Sequence, residues 1–442
     1  MSSISFDLLQ AEISTVKSVQ NMGRITEVAR GILVVKGLSG VASLGDLVEV
    51  GGGTERQLGE VLQLSEDTIT VLPDGGANGL AIGDPVIHIG NNDIAPHDTW
   101  VGRVIDPFGA PIDERPLFRG NNTRSLRGAP INPTERRTLG DRLETGLTVF
   151  NTMLPIVHGQ RIGLFAGSGV GKSTLLAKLA TGLQADIVVI AMIGERGREV
   201  REFIDRVLGP NGMKRSIIVA ATSDQSPLVR RRCAWTAMAV AEHFRDRGRQ
   251  VLFLADSITR FAEAHREVAL ATGEEGNLRG YPPSTSHLIT SLCERAGPGV
   301  GDEGDITAVF SVLVAGSDMD EPVADILRGV LDGHVVLDRN IAERGRFPAI
   351  DLLRSVSRAL PSAATDAENK IITKARRLIG TFDRSEMMIQ AGLYSKGTDA
   401  GIDEAISCWP RLDGFLAESE PDSISASFER LANCMVEEKP KA

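Results

Sequence analysis

Five runs along the middle of this chain, residues 161–165, 187–192, 216–220, 251–255 and 306–314, are apolar over most of their length, with amphipathic segments between them. A strand that alternates apolar and polar residues has one wet face. A strand that is apolar throughout must be buried on both, as in a parallel sheet with helices on either side. The pattern therefore assigns residues 92–361 to an α/β domain built on a mostly parallel sheet. From Gly23 to about Gly90, shorter runs rich in valine, isoleucine and threonine (32–35, 47–50, 68–71 and 86–89) are separated by glycine-containing turns at 51–53 and 74–76. Short strands at regular spacing with turn signals between them predict a small β-barrel over 1–91, read as a support for assembly. Residues 362–442 show helical spacing, with Ile371, Ala375, Leu378 and Ile379 on one face and Ile402, Ala405, Ile406, Trp409 and Leu412 on another. They predict a small C-terminal helical domain whose last residues, 437–442, fray. A chain of 442 residues has length enough for three such domains, each with its own core.

The first apolar run leads straight into Ala166, Gly167, Ser168, Gly169, Val170, Gly171, Lys172, Ser173 and Thr174, and a helix-like stretch follows over 175–183. This is a phosphate-binding (Walker A) loop in its strand-loop-helix setting. Glycines let backbone N–H groups turn inward around phosphates, and the helix presents its positive N-terminal end to them. The spacing places Lys172 on the β- and γ-phosphates of a nucleotide and the Ser173 hydroxyl on Mg2+, which prefers hard oxygen ligands. The first position of the motif is alanine rather than glycine, which is tolerable where its φ is negative.

The run 251–255 ends in Asp256, 84 residues beyond Lys172. An apolar strand ending in a carboxylate is a Walker B pattern, and at the carboxyl end of a parallel strand Asp256 is expected beside the loop, holding magnesium through a water. Alone, such an aspartate equally suits a helix cap. The run 187–192 leads to Gly194, Glu195, Arg196, Gly197, Arg198 and Glu199. Glu195 is the candidate for accepting a hydrogen bond from an attacking water, with Arg196 offsetting charge that develops on phosphoryl oxygens. Without the two Walker patterns, the same cluster would read as a solvated loop.

Composition narrows the alternatives. A formal net charge of -10 opposes broad binding to nucleic acid, and the first 90 residues hold a single aromatic, Phe6, for bases to stack on. Cys233, Cys293, Cys408 and Cys434 form no CxxC pair and the seven histidines no HExxH, so neither a disulfide framework nor a structural zinc site is indicated and the thiols are expected reduced and buried. No apolar run approaches the ~18 residues needed to span a bilayer. A cytoplasmic protein is expected.

Residues 194–200 (GERGREV) resemble the catalytic-glutamate motif of flagellar and type III secretion ATPases, members of the rotary ATPase alpha/beta-chain superfamily. Residues 101–106 (VGRVID), 159–163 (GQRIG), 256–261 (DSITRF), 279–284 (RGYPPS), 331–334 (LDGH) and 348–351 (PAID) are similar to further motifs of that family, so the likeness runs from about 23 to 415. It implies a RecA-like P-loop domain and an Mg-dependent ATP hydrolase working as a homohexameric ring that energises export of flagellar proteins. Arg358, in the stretch 355–358 (SVSR), would be an arginine finger entering the neighbouring subunit's site. Phe347 matches an aromatic that stacks on adenine, with an ordinary buried phenylalanine as the competing reading. Arg260 and Asp325 are read as structural or interface residues. The implied partners are a stator-like negative regulator, a stalk protein, export chaperone-substrate complexes and the export gate, reached by peripheral association with the cytoplasmic face of the inner membrane. Leu8, Leu9, Ile13 and Val16 have the near-helical spacing of a partner-binding helix. The alternatives are the ATPase of a virulence-type or symbiosis-type secretion system, which shares nearly all of these motifs, and a ring-shaped RNA translocase.

Overall fold

In the computed structural model, which describes residues 13, 19–29, 31–51, 56–91, 93–314, 319–419 and 423–436, the valine- and isoleucine-rich runs near the N-terminus become strands whose alternate residues point inward. Six strands, β1 (Met22–Ala29), β2 (Ile32–Lys36), β3 (Leu47–Val50), β4 (Gln57–Leu64), β5 (Thr68–Pro73) and β6 (Pro85–Gly90), close into an antiparallel barrel in the order β1-β2-β5-β4-β3-β6. Val48 and Val50 of β3 and Ile69 and Val71 of β5 fill its interior at the two-residue period of a half-buried strand. Two strands were not expected, β1 and β4, because Arg24, Glu27, Gly59, Glu60 and Gln63 interrupt their apolar pattern. Gly52 and Gly53 of the expected turn, residues 437–442, and Leu8, Leu9 and Val16 lie outside the described residues.

The expected α/β architecture holds in the centre. The strands β7 (Val104–Ile105), β8 (Arg161–Ala166), β9 (Ile187–Glu195), β10 (Ser216–Thr222), β11 (Val251–Asp256), β12 (Gly297–Pro298), β13 (Asp305–Leu313), β14 (Gly333–Leu337) and β15 (Ile350–Ser357) form one sheet. Its order is β15-β14-β8-β13-β11-β9-β10-β7, with β12 beside β13. Only β12 and β15 run antiparallel to their neighbours. The five apolar runs supply its five central strands, and both faces are covered. Val188, Ile190 and Met192 of β9 share one apolar cluster with Leu175, Leu176 and Leu179 of the helix Lys172–Gly182. Val189, Ala191 and Ile193 share another with Val229 and Cys233 of the helix Pro227–Arg245 and Phe261 of the helix Ile258–Ala271. Each such side chain, fully buried, contributes roughly 1.5–3 kcal/mol.

The chain ends in helices Asp366–Gln390, Ala400–Phe415 and Ile424–Asn433. Thr365 and Glu368 cap the first with reciprocal hydrogen bonds, satisfying two amides that have no partner within the helix. Ile372, rather than the expected Ile371, takes the buried position on its inner face. Phe382 and Trp409 stack at 4.3 Å to join the first two helices. Arg376 ties them to the sheet domain through the carbonyls of Met153 and Ser355. Cys233, Cys293 and Cys408 are free and buried, and Cys434 is free and half-buried. Among the described residues no helix is long and apolar enough to cross a membrane.

Candidate active site

The parallel register brings separate strand ends to one edge. Ala166 pairs with Leu313, Ala255 with Phe310 and Asp256 with Met192, so β8, β13, β11 and β9 all terminate at the same rim. Ala166 closes β8 in extended backbone, which its methyl group permits. The loop then turns through Gly169 at φ +78° and Gly171 at φ +88°, a region that residues with a Cβ rarely enter. A Cβ on Gly169 would meet nothing within 4 Å, so that backbone faces open space. The helix begins at Lys172, three residues earlier than its apolar pattern suggested.

Three ionisable groups meet beyond this loop. The Lys172 ammonium contacts the Asp256 carboxylate directly and lies 3.9 Å from a Glu195 oxygen. Asp256 is 5% exposed and also accepts a hydrogen bond of 2.6 Å from Ser311 Oγ. Burial, and then the like charge of Asp256, raise Glu195 from the ordinary carboxylate range to about 7, against the pull of Lys172. Glu199, bonded to Glu195, adds to the rise. A carboxylate whose proton affinity sits near neutrality is suited to taking a proton from water. The amide of Ser223 holds the Glu195 carbonyl at 3.0 Å, tying β9 to the loop after β10.

Lys172 and Glu195 border a cleft of ≈ 1090 Å³ whose walls include residues 166–169 and 171–174, Arg196 and Glu199, and Asp256 lies behind Lys172 in direct contact with it. Arg196 pairs with Glu199 at 2.8 Å, its side chain 76% exposed. Ser173 is exposed at the head of the helix. Phe347 is 49% exposed, which removes the reading of an ordinary buried aromatic. Its ring lies 3.2 Å from where a Cβ on Gly171 would stand. Arg358 does not join them. It follows Ser357, which pairs with Gly333 at the opposite edge of the sheet, and its guanidinium donates to the Arg328 carbonyl at 3.1 Å.

The donor set fits a magnesium nucleotide. Turned backbone and an ammonium group suit phosphate oxygens, while a hydroxyl and a carboxylate suit a hard cation. Sequence reasoning missed other members of the wall: Arg230, Glu263 and Tyr281 line the cleft, as does Arg260, which the sequence reading gives as a structural or interface residue. Ser311 was also missed, although a hydroxyl inside the apolar run 306–314 was its signal.

Comparison with known proteins agrees with this architecture. Residues 146–357 match the nucleotide-binding domain of the ATP synthase alpha/beta family, and residues 364–433 match the C-terminal domain of the T3SS EscN ATPase. The chain is 41% identical over 431 residues to the flagellum-specific ATP synthase of Bacillus subtilis, covering 96% of this chain and 98% of that one. It is 39% identical over 424 residues to that of Salmonella typhimurium, with 94% and 93% covered. Among solved structures, the assembled ATPase EscN from the enteropathogenic E. coli type III secretion system superposes with a TM-score of 0.86 at 35% identity, over 94% of this chain and all of that one. EscN in complex with its central stalk EscO superposes at 0.84.

Proposed function

Since the chain belongs to the flagellum-specific ATP synthase family of the ATP synthase alpha/beta group and is an ATPase, we propose that it hydrolyses MgATP in a homohexameric ring and energises export of flagellar proteins. The observation that carries this reading is that the carboxylates of Asp256 and Glu195 meet at Lys172, at the end of the phosphate-binding loop, where Lys172 and Glu195 line one cleft.

The backbone amides of residues 167–171 and the Lys172 ammonium bind the β- and γ-phosphates, exchanging the contact with Asp256 for one with the nucleotide. Ser173, and Asp256 through a water, would hold Mg2+, which would supply charge neutralisation on the phosphate oxygens. Glu195 in its ionised form accepts a hydrogen bond from the attacking water and orients it toward the γ-phosphorus. Arg196 offsets charge at the rim. Phe347 packs on adenine, and Arg358 completes the site of the next subunit, where such an arginine accelerates transfer by roughly 10³-fold or more.

A finger given to a neighbour closes a ring, and the relative EscN is known as an assembly and with a stalk. The same reading gives this chain a stalk protein, a stator-like regulator, chaperone-substrate complexes and the export gate as partners, at the cytoplasmic face of the inner membrane. The higher identity to the flagellar relatives than to EscN favours the flagellum over a virulence-type system.

The test is genetic and chemical at once. The gene is deleted and restored as wild type or as Glu195→Gln, and flagellin in the medium is measured alongside swimming. Wild type should restore both and Glu195→Gln neither. Motility untouched by the deletion overturns the flagellar assignment and moves the ATPase to a contact-dependent secretion system.

A further inference from the structure

The barrel's expected role is support for assembly, yet it carries a buried ion pair to a helix that helps wall the cleft. Glu60 lies on β4, is 5% exposed, and accepts two hydrogen bonds of 2.8 Å from Arg231 and one of 2.7 Å from Arg127. Arg231 is itself 4% exposed and sits in the first turns of the helix Pro227–Arg245. A second barrel residue, Asp74, bonds Ser226, the cap of that helix. A third, Gln63, donates to the Thr272 carbonyl at the end of the helix Ile258–Ala271. The barrel thus grips the first helix at its start and the second at its end.

Both helices close on the residue before Glu195. Gly194 has φ +66°, and a Cβ there would stand 3.4 Å from Arg230 Cδ and 3.5 Å from Arg260 Cβ. Arg230 is the chain neighbour of Arg231. Its guanidinium is held by the Gln225 carbonyl and by Glu267 of the second helix. Arg231 also approaches that helix, with its Nη1 3.5 Å from His265 Nδ1. The loop that Asp74 anchors through Ser226 contains Ser223, whose amide holds the Glu195 carbonyl. Two separate routes therefore lead from barrel carboxylates to the Gly194–Glu195 backbone, and each passes through only a few bonded groups.

We propose that Glu60 is a positioning residue for hydrolysis: by holding Arg231 it sets the helix pair that packs against Gly194 and so fixes where the Glu195 carboxylate stands. The proposal rests on the reading of Glu195 as the group that orients water. A buried carboxylate-guanidinium pair adds little net stability over an apolar contact of the same size, but its two-point geometry admits fewer arrangements. Positioning is where small errors are costly, since a displacement near 1 Å in a reacting constellation can lower rate by about 10²-fold.

The experiment compares purified full-length Glu60→Gln, Val71→Ala and Glu195→Gln with wild type. Phosphate release gives kcat and KM, MgADP binding gives affinity, light scattering gives assembly and thermal unfolding gives Tm. Val71 is a fully buried barrel residue whose apolar side chain makes none of these hydrogen bonds, so it reports general loosening of the barrel. Glu60→Gln is expected to lower kcat by about tenfold or more while MgADP affinity stays within about threefold and assembly is unchanged. A kcat within about twofold of wild type overturns the proposal, as does an equal loss of kcat in Val71→Ala at matched loss of Tm. Should Glu60→Gln fail to fold, Arg231→Lys reads the same link by removing its two-point geometry, with an expected loss of about threefold or more in kcat; unchanged turnover there overturns the proposal. Glu195→Gln separates the two readings. If it retains turnover the water-orienting role itself fails, whereas an inactive Glu195→Gln beside a normal Glu60→Gln refutes only the positioning role.

Discussion

An arginine supplied to a neighbour makes a quantitative prediction when two inactive chains are mixed. Arg358 leaves β15 beside Gly333, while Leu337 at the other end of β14 pairs with Ala166 at the mouth of the phosphate loop. Four steps along β14 at about 3.3 Å each separate those ends by about 13 Å, and the phosphates lie farther still. An extended arginine side chain reaches about 7 Å from its Cα, so Arg358 cannot serve its own loop. Arg358→Ala should then lower turnover by about 10³-fold, and Glu195→Gln should also be inactive. In a ring assembled from equal parts of the two, an interface is complete when an Arg358→Ala chain offers the site and a Glu195→Gln chain offers the arginine. Random assembly makes this true of about a quarter of interfaces. Phosphate release should rise as the product of the two mole fractions, peak at equal mixing, and reach up to about a quarter of the wild-type rate. Assembly of mixed rings is checked by co-purification of differently tagged chains. Mixed rings that stay at the level of the inactive parents, with no maximum, would refute a finger acting between subunits.

Three further outcomes follow from the site and the core. Glu195, raised to about 7 by burial and by Asp256, must be ionised to accept from water, so kcat/KM is full above that pH and lost as pH falls through it. Glu199→Gln removes a group that raises Glu195 and should move the acidic limb to lower pH; a limb that stays in place counts against Glu195 as the titrating group. Phe347→Ala should raise KM for ATP by about tenfold and leave kcat within about twofold, the mark of a uniform binding contact; equal losses in kcat would place Phe347 in the chemistry instead. Arg295, 2% exposed, holds Glu242 through bonds of 2.8 and 2.7 Å. Arg295→Met leaves that carboxylate buried without its partner and should cost about 3–5 kcal/mol in denaturant unfolding, and a loss under about 1 kcal/mol would show the site rehydrates freely.

The legible part of this protein is the part written in local pattern. The five central strands were visible because a strand buried on both faces must be apolar along its length, and the phosphate loop because positive backbone dihedrals at Gly169 and Gly171 leave few residue choices. The strands β14 and β15 were not visible, since β15 turns Asp351, Arg354 and Val356 outward and carries no continuous apolar run. Nor were β1 and β4, whose inward pattern is broken by residues such as Glu60 that answer to a partner in another domain. Arg230, Arg260 and Ser311 belong to the same class, because nothing adjacent to them in the chain says which cleft or carboxylate they face.

What the chain by itself determined was therefore the kind of chemistry and the kind of sheet: a phosphate cradle, two carboxylates each ending an apolar strand, and strands that demand cover on both sides. Only the tertiary structure decided which of these groups meet. Asp256 and Glu195 reach Lys172 because parallel register carries the ends of β8, β9 and β11 to one edge. Arg358 goes to the other edge because β15 runs antiparallel, and strand direction depends on pairing between distant segments rather than on any residue's own preference.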